Sequence, residues 1–336
     1  MIALGALAAF GVALAVVLVI ERRASAIGLI DVPNNRSSHV APRPRGGGLG
    51  VVFGMAAGIG LTVGSGVTYG PIVMTVLAAG LVVASAGLWD DVSPLSATPK
   101  LVAQALAAGG VVWMLGGFAR VPLPAPLDIS LGWIGVPLAL IWIVGVTNFF
   151  NFMDGADGLA GGQACLTFAA IAWAVWPEPV AAAAVLGASA TAAFLVRNWA
   201  PARIFFGDVG SGWAGFLLAA LPFAAPVERR ERLVLLVATS LALFLVDPVL
   251  TLARRLASGR RLAAAHREHA YQQLIDPARS HAGGVTRLLL AAATLTIAGG
   301  IAFVWPSLAW WSVAWAAAVS GAEWVIADAR RSHQRR

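Results

Sequence analysis

Apolar runs long enough to be membrane helices follow one another along the chain, separated by short breaks that hold its charges, prolines and many of its glycines. A helix crossing a hydrocarbon core about 30 Å thick takes about 20 mostly apolar residues. On that ruler eleven runs stand out, near 2–20, 48–65, 71–89, 100–118, 133–150, 161–176, 179–197, 211–225, 233–252, 287–305 and 308–326. Only Pro306 and Ser307 part the last two, so ten spans is the alternative count. The predicted fold is all-α, a polytopic membrane helix bundle forming one domain over 1–336, with its polar chemistry confined to the breaks. Glu21, Arg22 and Arg23 follow the first run instead of preceding it, which predicts a retained span and not a cleaved signal peptide.

Composition sharpens this reading. Hydrophobic residues make up 59% of the 336 residues and charged ones 12%, about half the charged share of an ordinary soluble domain. That scarcity also excludes a basic nucleic-acid groove, despite a net charge of +7. The single cysteine, Cys165, excludes an intramolecular disulfide and a cysteine metal cluster. With eleven spans, 19 of the 23 basic residues fall on one side, and Arg120, Arg229, Arg230 and Arg232 on the other. The positive-inside rule then puts the amino terminus outside and the carboxyl terminus in the cytoplasm. Tryptophans such as Trp173, Trp176, Trp310, Trp311 and Trp315 take belt positions. Dense Gly and Ala predict close helix packing.

Five polar clusters fall on the predicted cytoplasmic side, near 31–48, 90–100, 148–160, 203–211 and 253–286. Adjacent carboxylates such as Asp90 and Asp91 are often no more than a solvated helix end, and Asp154 and Asp157 beside Gly155 and Gly158 could serve a turn. His266 and His269 would share one helix face, which by itself is an ordinary surface pattern. Together the clusters put carboxylates, an amide, a lysine and a His/Arg group at one membrane face. Hard oxygen ligands suit Mg²⁺, and cations suit the non-bridging oxygens of a diphosphate, so the chemistry points to a nucleotide diphosphate. Lys100 is the only lysine among the 23 basic residues. A compact ammonium in an arginine-rich chain fits a point-charge phosphate contact.

At these residues the sequence resembles the polyprenyl-phosphate N-acetylhexosamine 1-phosphate transferase superfamily, glycosyltransferase family 4, which includes phospho-MurNAc-pentapeptide translocases. Four motifs carry the likeness: Gly87-Leu-Trp-Asp90-Asp91 with the following Lys100, Asn151-Phe-Met-Asp154-Gly-Ala-Asp157-Gly-Leu, Phe205-Phe-Gly-Asp208-Val-Gly-Ser, and His266-Arg267-Glu-His269-Ala-Tyr-Gln. The last lacks the three consecutive histidines of the peptidoglycan branch, which argues against a MurNAc-pentapeptide donor. The resemblance implies transfer of N-acetylhexosamine 1-phosphate from a UDP-sugar to polyprenyl phosphate, releasing UMP, at the cytoplasmic face of a bacterial inner membrane, to start a cell-envelope glycan such as O-antigen. It implies Asn151 and Asp208 as ligands of Mg²⁺, with Mn²⁺ as a substitute, and Asp90, Asp91, Lys100, Asp154 and Asp157 as the catalytic set. Within that set Lys100 would meet the diphosphate, Asp157 the sugar end, and Asp90 and Asp91 the acceptor phosphate. Phe205 would stack on uracil, and His266, Arg267 and His269 would close over the donor. The amino-terminal loop matches loosely, so neither His39 nor Arg45 receives a role. Membrane lipid is the surrounding partner, and a homodimer is left open.

Two rivals fit less well. A secondary transporter places its acids near the midplane in broken helices, whereas here only Asp247, before Pro248, lies arguably deep. A CDP-alcohol phosphotransferase needs two more spaced aspartates, and none follows Asp154-Gly155 in that pattern.

Overall fold

The computed structural model describes residues 1–33, 41–260, 268–275 and 281–334. His266 and Arg267 therefore lie outside the described residues. Thirteen α-helices occur among those described: α1 (Ile2–Arg23), α2 (Gly48–Gly64), α3 (Gly70–Val92), α4 (Ala97–Leu115), α5 (Gly135–Phe152), α6 (Leu159–Ala174), α7 (Pro179–Asn198), α8 (Asp208–Ala220), α9 (Val227–Ser240), α10 (Ala242–Ala257), α11 (Ala270–Leu274), α12 (His281–Val304) and α13 (Ala309–Gln334). The described strands are two residues each, β1 (Ile30–Asp31) and β2 (Arg43–Pro44), paired antiparallel.

Each of the eleven apolar runs falls on a helix, the ninth on the pair α9–α10. Among the described residues six helices are long and apolar enough to cross a membrane, or seven if α9–α10 counts as one span, while α2, α6 and α8 are apolar but shorter. The chain is thus a polytopic helical membrane protein. The run at 233–252, predicted as one straight span, is instead bent by 68° between α9 and α10. The Ser240 carbonyl, which a continuous helix would return to the amide four residues on, accepts the Gln163 side chain at 3.0 Å. A side-chain partner in place of a backbone one lets the helix end there.

Packing is built on small residues, as expected where lipid removes the ordinary hydrophobic incentive for helices to associate. Ala9 and Ala13 of α1 meet Gly54 of α2, where a side-chain carbon would overlap the Ala9 carbonyl and Ala13. Large apolar side chains such as Leu7, Leu106, Ile141, Leu290 and Ile297 stay exposed, as lipid-facing residues should.

The centre of the bundle is α8. Every residue from Val209 to Ala220 is buried, and α3, α5 and α2 pack around it. At Gly87 of α3 a side-chain carbon would strike the Asp208 backbone. The carboxyl end of α3 is thereby held against the amino end of α8. The ends of α3 and α5 and the starts of α4 and α8 meet at one pole of the bundle.

The split of basic residues predicts which way that pole faces. In a Cys165→Ala background, single cysteines at the exposed positions Ser93 and Ser258 should react with a membrane-impermeant reagent only after the cytoplasmic side is opened. A cysteine at Val227, 61% exposed, should react in intact cells. Labelling of Val227 from the cytoplasm alone would reverse the orientation.

Candidate active site

Two aspartates end α3 and have different jobs. Asp91 is 1% exposed, and its two oxygens accept the amides of Asp208 and Val209, both at 3.0 Å. Those amides open α8 and have no partner within the helix, so Asp91 caps it from a neighbouring element. Asp90 turns the other way. One of its oxygens accepts the Leu95 amide at 2.7 Å and the other accepts Lys100 at 3.1 Å.

Lys100, in the first turn of α4, also donates to Asp208 at 2.8 Å. The ammonium thus joins α3, α4 and α8 through two carboxylates. The second oxygen of Asp208 accepts the Asn151 amide at 3.1 Å, and Asn151 also donates to Ser211 at 2.8 Å. Asp90, Asp91, Lys100, Asn151 and Asp208, far apart in sequence, therefore form one connected cluster.

Asp154 belongs to the same field. Burial first, then the charges of Asp208 and Asp91, push its carboxyl well above the ordinary aspartate range, with partial relief from the Ser211 hydroxyl. Asp157 holds the neighbouring loop: its carboxylate accepts the Ala202 amide at 2.9 Å and its own amide donates to His281 at 3.1 Å. Asn198 does likewise, accepting the Gly158 amide and donating to the Ile204 carbonyl, both at 2.9 Å.

Phe205 and Phe206 part company. Phe206 is 1% exposed and stacks on Phe194 with ring centroids 4.5 Å apart. Phe205 is half-buried and its backbone pairs with Pro44 and Gly47, at 2.8 and 2.9 Å. That pairing ties the first polar loop to the approach to α8. His269 is buried and lies 3.2 Å from Asp247. It reaches the cluster indirectly, through a ring contact with Phe152, one residue beyond Asn151.

Three contributors escaped sequence reasoning. Arg45 donates to the Asp91 carbonyl and lies 3.9 Å from both the Asp91 and Asp31 carboxylates. Its one signal was an arginine set between a proline and three glycines. Ser211 stood inside a motif but drew no role, and Asp247 drew notice only as a deep acid.

The donor set suits a hard divalent cation. Asp208, Asp90, Asp154, Asn151 and Ser211 offer only oxygen ligands, and one ammonium leaves the carboxylates in excess. Among the described residues no three Asp, Glu, His or Cys side chains already surround one point. Mg²⁺ is commonly held by one or two carboxylates with water and substrate phosphate completing its shell.

Known proteins are similar to this chain in sequence. Residues 73–225 match the family model of glycosyl transferase family 4. The chain is 31% identical over 316 residues to the probable undecaprenyl-phosphate N-acetylglucosaminyl 1-phosphate transferase of Bacillus subtilis (strain 168), an alignment covering 89% of this chain and 86% of that protein. It is 30% identical over 296 residues to the decaprenyl-phosphate N-acetylglucosaminephosphotransferase of Mycobacterium tuberculosis (strain ATCC 25618 / H37Rv), covering 77% of this chain and 72% of that protein. Its likeness to the phospho-N-acetylmuramoyl-pentapeptide-transferase of Halalkalibacterium halodurans reaches 36% but covers 40% of this chain and 43% of that protein.

Crowding of carboxylates predicts a pH effect in metal-free protein. Because Asp154 is raised in the folded state, stability should fall as pH climbs from the ordinary aspartate range toward that raised value. Asp154→Asn removes the titration, and at neutral pH with EDTA it should melt ~1 to 2 °C higher for each kcal/mol recovered. Melting curves at acid and neutral pH test this. An unchanged pH slope in the variant would show that Asp154 carries no such strain.

Proposed function

The chain belongs to glycosyltransferase family 4, and from that premise we propose that it transfers N-acetylhexosamine 1-phosphate from a UDP-sugar to polyprenyl phosphate in a bacterial inner membrane. The observation that carries this reading is the ammonium of Lys100 seated on Asp90 and Asp208 beside Asn151, at the polar pole of a lipid-embedded bundle. In the reaction an acceptor phosphate oxygen attacks the β-phosphorus of the donor. The bond from that phosphorus to the bridging oxygen breaks, UMP leaves with the electron pair, and polyprenyl-diphosphate-sugar forms.

Phosphoryl transfer depends mainly on positioning and charge neutralisation. Lys100 supplies a fixed positive charge where the diphosphate must lie. Asp208 and Asn151 would hold Mg²⁺, with Asp154 close by; the ion, when bound, would neutralise diphosphate oxygens and polarise the phosphorus. The acceptor is a phosphate monoester with its second pKa near 6, so it is largely a dianion at neutral pH. Asp90 therefore serves as a positioning group and not as a strong base. Phe205 offers an aromatic face to uracil beside the start of α8. The same pole would face the cytoplasm, where nucleotide sugars are made.

Near-complete alignment with N-acetylglucosamine-type transferases, set against partial alignment with the pentapeptide transferase, favours an N-acetylhexosamine donor and a product that opens a cell-envelope glycan. The direct test supplies purified protein with Mg²⁺, undecaprenyl phosphate and a panel of UDP-sugars. UMP release should require both substrates, and the lipid-linked product should be identified by mass. Release without the lipid, or lipid modification without UMP, would sink the reading.

Two variants separate the roles. Lys100→Arg should lose turnover nearly as badly as Lys100→Ala, roughly 100-fold or more, because a planar guanidinium places its charge elsewhere. Near-normal turnover in Lys100→Arg would return the residue to a topological charge. Phe205→Ala should weaken donor binding by about 1 to 3 kcal/mol, the usual worth of stacking on a base, and leave both Mg²⁺ dependence and melting temperature intact. An early-melting variant with unchanged donor affinity would assign Phe205 to packing.

A further inference from the structure

Asp247 lies in α10, beyond the 68° bend, and is 6% exposed. Leaving a carboxylate buried requires donors. The Thr251 hydroxyl donates at 2.9 Å and the amides of Ala270 and Tyr271 at 2.9 and 3.0 Å, while His269 Nδ1 lies 3.2 Å away. The two amides open α11, so Asp247 caps a short helix from across the chain, much as Asp91 caps α8. The imidazole of His269 stands between the Asp247 carboxylate and the backbone amide of Gln272, which its side chain accepts to cap α11. Arg255, two turns further along α10, grips the same segment through Glu268 at 3.2 Å.

From α11 the contacts run into the active-site loop. The Tyr271 hydroxyl lies 3.3 Å from the Phe152 carbonyl, and a side-chain carbon at Gly155 would overlap that hydroxyl. Gly155 sits between Asp154 and Asp157. A glycine is required there because the tyrosine fills the space a side chain would take.

We infer that Asp247 is a positioning residue for the donor site: by clasping residues 269–271 it orients His269 and seats Tyr271 in the Gly155 notch, which sets the shape of the Asp154–Asp157 loop. This rests on the donor being a nucleotide sugar, as proposed above. The bend between α9 and α10 sets the course of α10, which carries Asp247 to the start of α11.

The test uses the full-length protein in detergent or nanodiscs. Asp247→Asn is nearly isosteric but sets an NH₂ group against an amide donor, so it breaks the clasp without opening a large cavity. Hydrogen exchange across 269–275 should accelerate. The KM for the UDP-sugar should rise about tenfold, while the KM for polyprenyl phosphate and the Mg²⁺ dependence stay within twofold. Asp247→Glu, which keeps both acceptor oxygens, should recover part of the donor affinity. Should Asp247→Asn fold poorly, Tyr271→Phe reports on the far end of the same chain of contacts, and it should raise the donor KM with the clasp and its exchange protection intact.

Unchanged exchange in Asp247→Asn would overturn the proposal. So would an equal loss toward both substrates, or a fall in kcat with the donor KM unmoved, since either marks a merely structural acid. If the wild-type protein turns over no UDP-sugar at all, the functional reading fails separately, and the clasp is then judged on exchange alone.

Discussion

The carboxylate of Asp91 is the interaction on which the rest of the site depends. It gives up solvent to accept the first two amides of α8, the helix buried from Val209 onward. A central helix cannot leave its opening amides unpaired without a cost of about 1–3 kcal/mol for each unsatisfied group. Nor can its amino end reach water freely when α2, α3 and α5 close around it. The solution is a carboxylate lent by α3, admitted where Gly87 lets the two backbones approach. Once Asp91 is placed there, its neighbour Asp90 must point away, toward Lys100. Asp208, as the first residue of α8, then meets the same ammonium from the other side.

Seen this way the paired aspartates are not duplicates. Adjacent residues on a helix diverge by about 100°, so one carboxylate can serve the bundle while the other serves the pole. Arg45 completes the arrangement from the first polar loop: it bonds the Asp91 carbonyl and brings its positive charge near Asp91 and Asp31. A single guanidinium among these acids compensates part of their charge. The short antiparallel pair β1–β2 and the backbone bonds from Pro44 and Gly47 to Phe205 hold that loop in place.

Much of this was legible in the chain, because membrane helices announce themselves by length and apolarity, and because polar groups near a bilayer are costly enough to be informative. Each of the eleven runs falls on a helix, and Asp90, Asp91, Lys100, Asn151 and Asp208, singled out by the family resemblance of their motifs, stand together. Other features depend on directions that a linear pattern does not carry. The difference between Asp90 and Asp91, or between Phe205 and Phe206, lies in which way a side chain points from adjacent residues in one element. The α9–α10 bend arises from Gln163 taking the Ser240 carbonyl, a contact between residues 77 apart in sequence. Asp247 looked like an isolated deep acid because its donors include two backbone amides, which have no sequence signature. Arg45 lies in a loop whose only local marks are proline and glycine.

The occupancy of the carboxylates bears on how little the protein needs to do to the acceptor. Asp90 has one oxygen on the Leu95 amide and one on Lys100, Asp91 has both on α8, and Asp208 divides its two between Asn151 and Lys100. None of the three stands ready with an unengaged oxygen to pull a proton from an incoming group. For a hydroxyl nucleophile that would be a serious deficiency, since general-base help is typically worth 10² to 10⁴ in rate. For a phosphate that is already ionised at neutral pH it costs little. In the proposed reaction the harder problem is bringing an anionic acceptor up to an anionic diphosphate, and the cluster would address that problem. It gathers oxygen groups around the one lysine of the chain and holds that lysine by two carboxylates from different helices, so in the proposed reaction its charge would already be in place when the two anions meet.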